Sequence, residues 1–338
     1  MQAISLNWMV AALSRHVRFL GVLNLPSFID SETFRTWRSD ASQWTPIAID
    51  IARSHGLPHA APHVFQTGTN LVLALDDSLI LKIFPPMFRR QFASERASLA
   101  QLEGRLAVAI PAIVRQGERD GWPYLVMMRL EGVLGSQAWP SMPEDQKEDV
   151  LTQIGEAIAQ VQRAPLGELA HVEPRWEAFI LGQMAACRAR HERLGLPEKY
   201  LVGLDRFVRE APTLIPMNTP PVILTGEYIP ENFLLTESSR GWRLSGLFDF
   251  GDVLTGWGEY DLLGPSAFMT AGMPRRVRNL LKGFGYTKAD MNSEMTGRLM
   301  TLLLLHRASD PIRHICISGW QEKTDSLDAV ERLLWPVV

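Results

Sequence analysis

Cysteine is nearly missing from this chain, with two in 338 residues, Cys187 and Cys316. Two distant thiols make neither a metal-binding spacing nor a disulfide framework, so both read as ordinary thiols of a reducing compartment. A dominant charge is missing too. The 34 Lys and Arg stand against 37 Asp and Glu, for a net charge of −3. That excludes the basic field that draws nucleic acid. The 10 tryptophans are scattered rather than interleaved with basic residues, which argues against a base-stacking platform. No long apolar run is present. The stretch "NWMVAAL" near the start is too short to cross a bilayer, and Arg15, His16 and Arg18 break up the residues after it. The expectation is a cytoplasmic protein with no membrane partner and an N-terminal helical extension over residues 1–34. Internal repeats and low-complexity linkers are absent as well.

What remains is 46% hydrophobic, enough to bury a real core across about two lobes. Residues 35–55 have helical period and end at Gly56, a favourable C-cap. From residue 63 the period becomes two. "HVFQTGTNLVLALDDSLILKIF" reads as three strands joined by a glycine turn and an Asp-Asp-Ser turn, with Lys82 inside the last strand. "FRRQFASERASLAQLEGRL" returns to helical period with Glu95 in its middle. "PAIVRQGERDGWPYLVMMRLEGVLG" predicts two strands about a Gly-Trp-Pro turn, running into a hinge at Leu130-Glu131-Gly132. Beyond it, helices are expected over 144–163, 175–194 and 198–211, then a β insert over 222–250, then helices from about 261. The fold class is α+β and two-lobed. Its β-rich first lobe spans 35–130, its mainly helical second lobe spans 131–338, and the cleft lies at the hinge.

Two short motifs carry the chemistry. "TGEYIPEN" places Glu227 and Asn232 five residues apart, the interval between acid and asparagine in a kinase catalytic loop. "FDFGD" follows an expected strand and sets Asp249 at a turn, where an oxygen ligand for magnesium belongs. Phosphoryl transfer needs such parts for positioning and charge neutralisation. It requires a cation fixed by a carboxylate, two oxygen ligands for Mg2+ and a further carboxylate to take the acceptor's proton. Alone, Lys82 is an exposed strand lysine, Glu95 one helix glutamate among many, and "DFGD" a β-turn. Together, in this order, they form a phosphotransfer set. The histidines offer a loop cluster as a competing metal site, against the simpler reading of solvent-exposed turn residues. His55, His59 and His63 recur every four residues, but Pro58 and Pro62 break any helix that would align them.

The assembly resembles the aminoglycoside phosphotransferase family, a branch of the protein-kinase-like fold, with hygromycin-kinase-like members nearest. The family's H-G-D-x-x-x-x-N, I-D-F-G-D and G-D-x-x-Y-D-L become "TGEYIPEN", "LFDFGD" and "GWGEYDL" here. The likeness runs from about residue 35 to 335. It implies a kinase that uses ATP or GTP with Mg2+ to phosphorylate a small-molecule hydroxyl acceptor, such as an aminoglycoside, another alcohol or a sugar, as a monomer or homodimer. Lys82 would contact the α/β-phosphates with Glu95 as its partner, and Thr67, Gly68 and Thr69 would lie near the phosphates. Backbone groups of Met127, Met128 and Leu130 would meet the adenine. Asn232 and Asp249 would hold the metal, Glu227 would act as the base, and Asp261 would brace the catalytic loop. Glu231, Asp252 and Glu259 are near enough in sequence to supply acids to an acceptor pocket.

Three positions depart from the family. Its loop histidine is Thr225, its later aspartate is Trp257, and its catalytic aspartate is Glu227. Glutamate keeps the charge and the ordinary pKa range. Its extra methylene moves the carboxylate by about 1–1.5 Å, and an ångström of misplacement can cost on the order of 10²-fold in a positioned reaction. Two readings stay open: a kinase whose loop has adapted to a longer base, or a pseudokinase that binds nucleotide or a partner without transfer.

Overall fold

The computed structural model describes residues 24–28, 30–60, 62–66 and 68–337. Most of the expected extension over 1–34, and Thr67 of the glycine turn, lie outside that set.

The single helix expected over 35–55 is two. In α1 (Ser31–Arg38) the Asp30 carboxylate caps the N-terminus, accepting from the Thr33 N–H at 2.7 Å; α2 spans Thr45–Ser54. Between them the Asp40 side chain accepts from the Ser42 N–H at 3.1 Å and opens a short 3-10 turn. Such local side-chain bonds compete with a continuous helix. A boundary at residue 35 falls inside α1, and packing joins the preceding residues to the first lobe. Trp122 Nε1 donates to the Pro26 carbonyl at 2.9 Å, and the Leu25 N–H to Asp120 Oδ2 at 2.9 Å.

The first lobe is an antiparallel sheet of β1 (His63–Phe65), β2 (Leu71–Ala74), β3 (Leu79–Ile83), β4 (Ile113–Arg119) and β5 (Trp122–Met128), in the order β1-β2-β3-β5-β4. Strand alternation sorts its two faces. Leu71, Leu73, Leu81 and Ile83 share one core with Trp44, Ile47 and Ile51 from the α1–α2 segment. Lys82 therefore points to the opposite face, toward α3 (Arg89–Leu102) and the cleft. The expected Gly-Trp-Pro turn is corrected to Asp120-Gly121. Arg119 pairs with Trp122, and both turn residues have positive φ, 53° and 83°, as a two-residue type I′ hairpin requires. Trp122 and Pro123 are buried strand residues.

Past the hinge, β6 (Val133–Leu134) and α4 (Gly135–Ala138) lead to α5 (Glu144–Arg163), α6 (Trp176–Arg193) and α7 (Glu198–Leu214), close to the spans expected from periodicity. The β insert is β7 (Val222–Leu224), β8 (Phe233–Ser238), β9 (Gly241–Leu247) and β10 (Leu254–Gly256), with β6-β8-β9 forming one sheet and β7-β10 a ribbon. Then come α8 (Leu263–Phe268), α9 (Pro274–Phe284), α10 (Ser293–Leu305), α11 (Pro311–His314), α12 (Trp320–Lys323) and α13 (Leu327–Leu334). α5 and α9 meet backbone to backbone at two glycines. A Cβ on Gly155 would sit 2.3 Å from the Leu280 carbonyl oxygen, and one on Gly283 2.0 Å from that of Thr152. The basic run opening α9 is only partly solvated, since Arg276 is buried and holds Glu144 at 2.5 and 2.7 Å. The lobes are also strapped by backbone: the Leu247 N–H donates to the Ala109 carbonyl at 2.9 Å. That strap lies just before Asp249.

Candidate active site

The alternation of β3 aims the Lys82 ammonium under the sheet, where α3 supplies Glu95. Lys82 Nζ lies 2.6 Å from Glu95 Oε2 and 2.9 Å from Asp249 Oδ1, so one cation ties strand, helix and turn together. Burial works against its charge, but the two carboxylates outweigh that cost and hold its pKa above the ordinary lysine range. Asp249 is held below the ordinary carboxylate range by Lys82, and a bond from the Gly251 N–H adds to this. Its backbone is left-handed, φ 68°, a conformation short Asp side chains tolerate and bulkier residues avoid. The turn after β9 thus points the carboxylate back at Lys82.

The residues of the loop after β7 lie against this group: Thr225, Glu227, Tyr228, Asn232 and Asp249 line one cleft. Asn232 Nδ2 donates to the Glu227 carbonyl at 3.1 Å and lies 3.5 Å from Glu227 Oε2. Commitment of the amide nitrogen to Glu227 leaves the amide oxygen as the acceptor Asn232 presents elsewhere. With Asp249 this makes two hard oxygen donors, a set that suits Mg2+, which uses few protein ligands and completes its octahedron with water and phosphates. Among the described residues no three His, Cys, Asp or Glu side chains gather as a metal cage, and His55 bonds the Tyr124 hydroxyl at 2.7 Å instead. Burial pushes Glu227 up to about 7, and the charge of Asp249 adds to this while Arg307 opposes it. A carboxylate with that pKa is matched to accept a proton near neutral pH.

Asp261 holds the loop from behind. Its two carboxylate oxygens accept from the Gly226 N–H at 2.7 Å and the Thr225 N–H at 3.2 Å. At Gly226, φ is 68°, so the loop turns through the left-handed region at the residue before Glu227, where glycine costs least.

The residues expected on the nucleotide side divide. Gly68 and Thr69 are exposed at the sheet turn, and Arg38 of α1 grips that turn from outside, donating to the carbonyls of Asn70 at 2.9 Å and Gln66 at 3.1 Å. Met127 is buried in β5, while Met128 is 43% exposed. The Met128 N–H already donates to the Ala112 carbonyl at 2.9 Å and the Arg129 N–H to the Ser78 carbonyl at 2.7 Å. The Leu130 N–H, just past the end of β5, makes no such backbone bond among the described residues.

Of the acids expected near an acceptor, Glu259 does not reach it. It is buried and saturated by Arg298 at 2.5 and 2.8 Å, by Trp257 Nε1 at 3.0 Å and by the Tyr286 hydroxyl. Trp257, standing where the family has aspartate, therefore serves this internal network. Glu231 is exposed, and Asp252 is partly exposed and takes Gln91 Nε2 at 3.3 Å.

Two site residues escaped the sequence reading, His306 and Arg307, which directly follow α10. The His306 ring stacks on Tyr260 at 4.7 Å between centroids. Its Nδ1 accepts from the Ala308 N–H at 3.2 Å, and the ring lies beside the Gly226 backbone. A ring from a remote segment thus stands next to the loop in which Thr225 carries none. Arg307 Nη2 lies 3.3 Å from Glu227 Oε1, and Nη1 donates to the Asp252 carbonyl at 2.7 Å. No period or motif marks either residue; their signal is spatial.

The fold has many structural counterparts. Aminoglycoside 2'-phosphotransferase-IIIa in its GDP complex superposes with a TM-score of 0.64 at 19% identity, over 87% of this chain and 97% of that one. The streptomycin–ATP complex of APH(2")-IIa gives 0.55 at 13% identity, over 86% and 95%. Macrolide 2'-phosphotransferase from Brachybacterium faecium gives 0.55 at 16%, over 78% and 90%. At these identities the likeness establishes the protein-kinase-like, two-lobed fold. No curated protein matches the sequence significantly. The family profile of the phosphotransferase enzymes, however, matches residues 66–292, well over half of the chain, with Lys82, Glu95, Glu227, Asn232 and Asp249 inside it and His306 and Arg307 beyond it. The chain belongs to the phosphotransferase enzyme family.

Proposed function

We propose that this protein transfers the γ-phosphate of a Mg-nucleotide, ATP or GTP, to a hydroxyl of a small molecule. The observation that carries the reading is the Lys82 ammonium seated between Glu95 and Asp249 at 2.6 and 2.9 Å, in the cleft that also holds Glu227 and Asn232. In the proposed reaction Lys82, fixed by Glu95, binds the nucleotide phosphates. Asn232 and Asp249 would hold Mg2+, which would supply charge neutralisation to the nucleotide phosphates. Glu227 takes the proton of the acceptor hydroxyl as its oxygen bonds to the γ-phosphorus. The bond from that phosphorus to the departing nucleoside diphosphate breaks, so the proton ends on Glu227 and the phosphoryl group on the acceptor. The structural neighbours include complexes with GDP and with streptomycin and ATP. Those ligands make an aminoglycoside one acceptor candidate beside other alcohols and sugars.

The second reading, nucleotide binding without transfer, draws on the engagement of Glu227 by Arg307. A thermal-shift series with ATP, GTP, ADP and GDP, with and without Mg2+, tests both. A ligand at 100 times its Kd stabilises the fold by about 2.7 kcal/mol, and no shift with any nucleotide sinks both readings. Release of ADP or GDP stimulated by an acceptor then separates kinase from pseudokinase. Glu227→Asp sharpens the division: loss of turnover supports a loop adapted to glutamate, and a gain supports a degenerate site.

A further inference from the structure

We propose that Arg307 is the positioning residue for Glu227, the group that decides where the longer carboxylate of this loop points. The inference rests on the phosphotransfer reading above. Its ground is the geometry of the Arg307 fork. Nη1 donates to the Asp252 carbonyl at 2.7 Å and lies 3.7 Å from Asp252 Oδ1, while Nη2 faces Glu227 Oε1 at 3.3 Å. The Arg307 backbone N–H donates to the buried Tyr260 hydroxyl at 3.3 Å. The shortest of these bonds goes to main chain, so the fork is fixed to the turn that carries Asp249, and the glutamate comes to meet it. Asp252 is itself held from α3 by Gln91 Nε2 at 3.3 Å, and Gln91 accepts from Asn70 of the glycine turn at 3.1 Å.

Length is the second ground. Aspartate at position 227 would fall short of Arg307 by about a further 1–1.5 Å, too far for a hydrogen bond from a contact already at 3.3 Å. Glutamate reaches it. Engaging Oε1 on the arginine leaves Oε2, which takes only a long bond of 3.5 Å from Asn232 Nδ2, as the oxygen with a lone pair to receive the acceptor's proton. A planar fork with donors to both a carbonyl and a carboxylate does what a lysine's single point charge does not. Arg307 is thus matched to Glu227 in both length and geometry.

The test is a double-mutant cycle of Arg307→Met and Glu227→Asp, with Arg307→Lys as the conservative variant. Each protein is assayed for ADP release from MgATP with water as acceptor and crystallised with MgADP. In the Glu227 background Arg307→Met lowers kcat by about 10–10²-fold, the scale of a misplaced reacting group, with KM for MgATP held within twofold. Arg307→Lys recovers part of the loss, and added guanidinium rescues Arg307→Met. In the Glu227→Asp background the same Met substitution costs less than twofold, because there is no contact left to remove. The crystal structure of Arg307→Met shows the Glu227 carboxylate displaced. Equal losses in both backgrounds, or a carboxylate unmoved in the Met variant, overturn the proposal. If water turnover is too slow to measure, carboxylate position alone decides. Failure of the unmodified protein to bind MgADP counts against the phosphotransfer reading, while the carboxylate position in ligand-free crystals still judges the role of Arg307.

Discussion

Removing the ammonium of Lys82 puts the central feature of the site to a quantitative test without any acceptor. The Lys82 and Glu95 side chains are 8% and 2% exposed, so Lys82→Met strands a carboxylate in the interior. Breaking a buried pair by deleting one partner costs about 3–5 kcal/mol. Asp249 also loses its partner, but its side chain is 38% exposed and recovers hydration. Its contribution to the loss is therefore small, and the expected cost stays near that of the stranded Glu95. Lys82→Met combined with Glu95→Leu removes both charges and keeps similar volume, and such apolar replacement of a buried pair is often neutral or stabilising. The double variant is thus expected to be more stable than the single one, with most of the lost stability restored. Urea denaturation, read as midpoint shifts at constant slope, measures both. The thermal shift by MgADP is lost in both variants if Lys82 holds the phosphates. A single variant as stable as the double one refutes the reasoning, since it shows that Glu95 has no stranded charge.

The packing leads to three further expected outcomes. Gly283→Ala, whose Cβ would fall 2.0 Å from the Thr152 carbonyl oxygen, separates α5 from α9 and costs about 1–3 kcal/mol, the range for an overpacked contact; urea melts read it. His306 is held down to about 3 by burial, aided by the charge of Arg307, against an ordinary 6.5. The unfolded chain then binds a proton that the folded chain refuses between those values. Stability is therefore full above pH 6.5 and declines as pH falls toward 3; His306→Phe, which keeps the stacking on Tyr260, makes that acid limb shallower. Asp261→Asn sets an amide NH2 against one of two N–H donors, at 2.7 and 3.2 Å. It is expected to cost about 1–3 kcal/mol, the penalty of an unsatisfied buried group, visible as faster hydrogen exchange at Thr225 and Gly226.

Periodicity located the lobes because their faces are simple. Strands β2 and β3 alternate between the α1–α2 core and the cleft, which is why Lys82 was legible as the odd residue in an apolar strand. Helix α5 was legible from its acidic first turn to its last arginine. The Asp-Gly at 120–121 was a hairpin signal in plain view, masked by the neighbouring Gly-Trp-Pro. The break between α1 and α2 also has a local cause, the Asp40 side chain. What no local pattern carries is partnership across distance. Glu259 reads as a surface acid until Arg298, 39 residues on, is seen to grip it, and Glu227 reads as a lone substitution until Arg307, 80 residues on, is placed beside it.

That placement changes the weight of the loop's departures from its family. Thr225 and Glu227 stand two residues apart, and taken singly each looks like the loss of a working part. The residues that face them are also adjacent: the His306 ring lies beside Gly226, and Arg307 meets the Glu227 carboxylate. Both come from the turn that ends α10, a helix whose nine buried residues fix it in the second lobe. Independent decay would give no reason for two consecutive residues of a remote segment to contact two nearly consecutive residues of the loop. A loop and a helix end that fit as a unit do give one. On that argument Glu227 is a part with its own support, and the variants that separate Glu227 from Arg307 are the ones that test whether the support serves turnover.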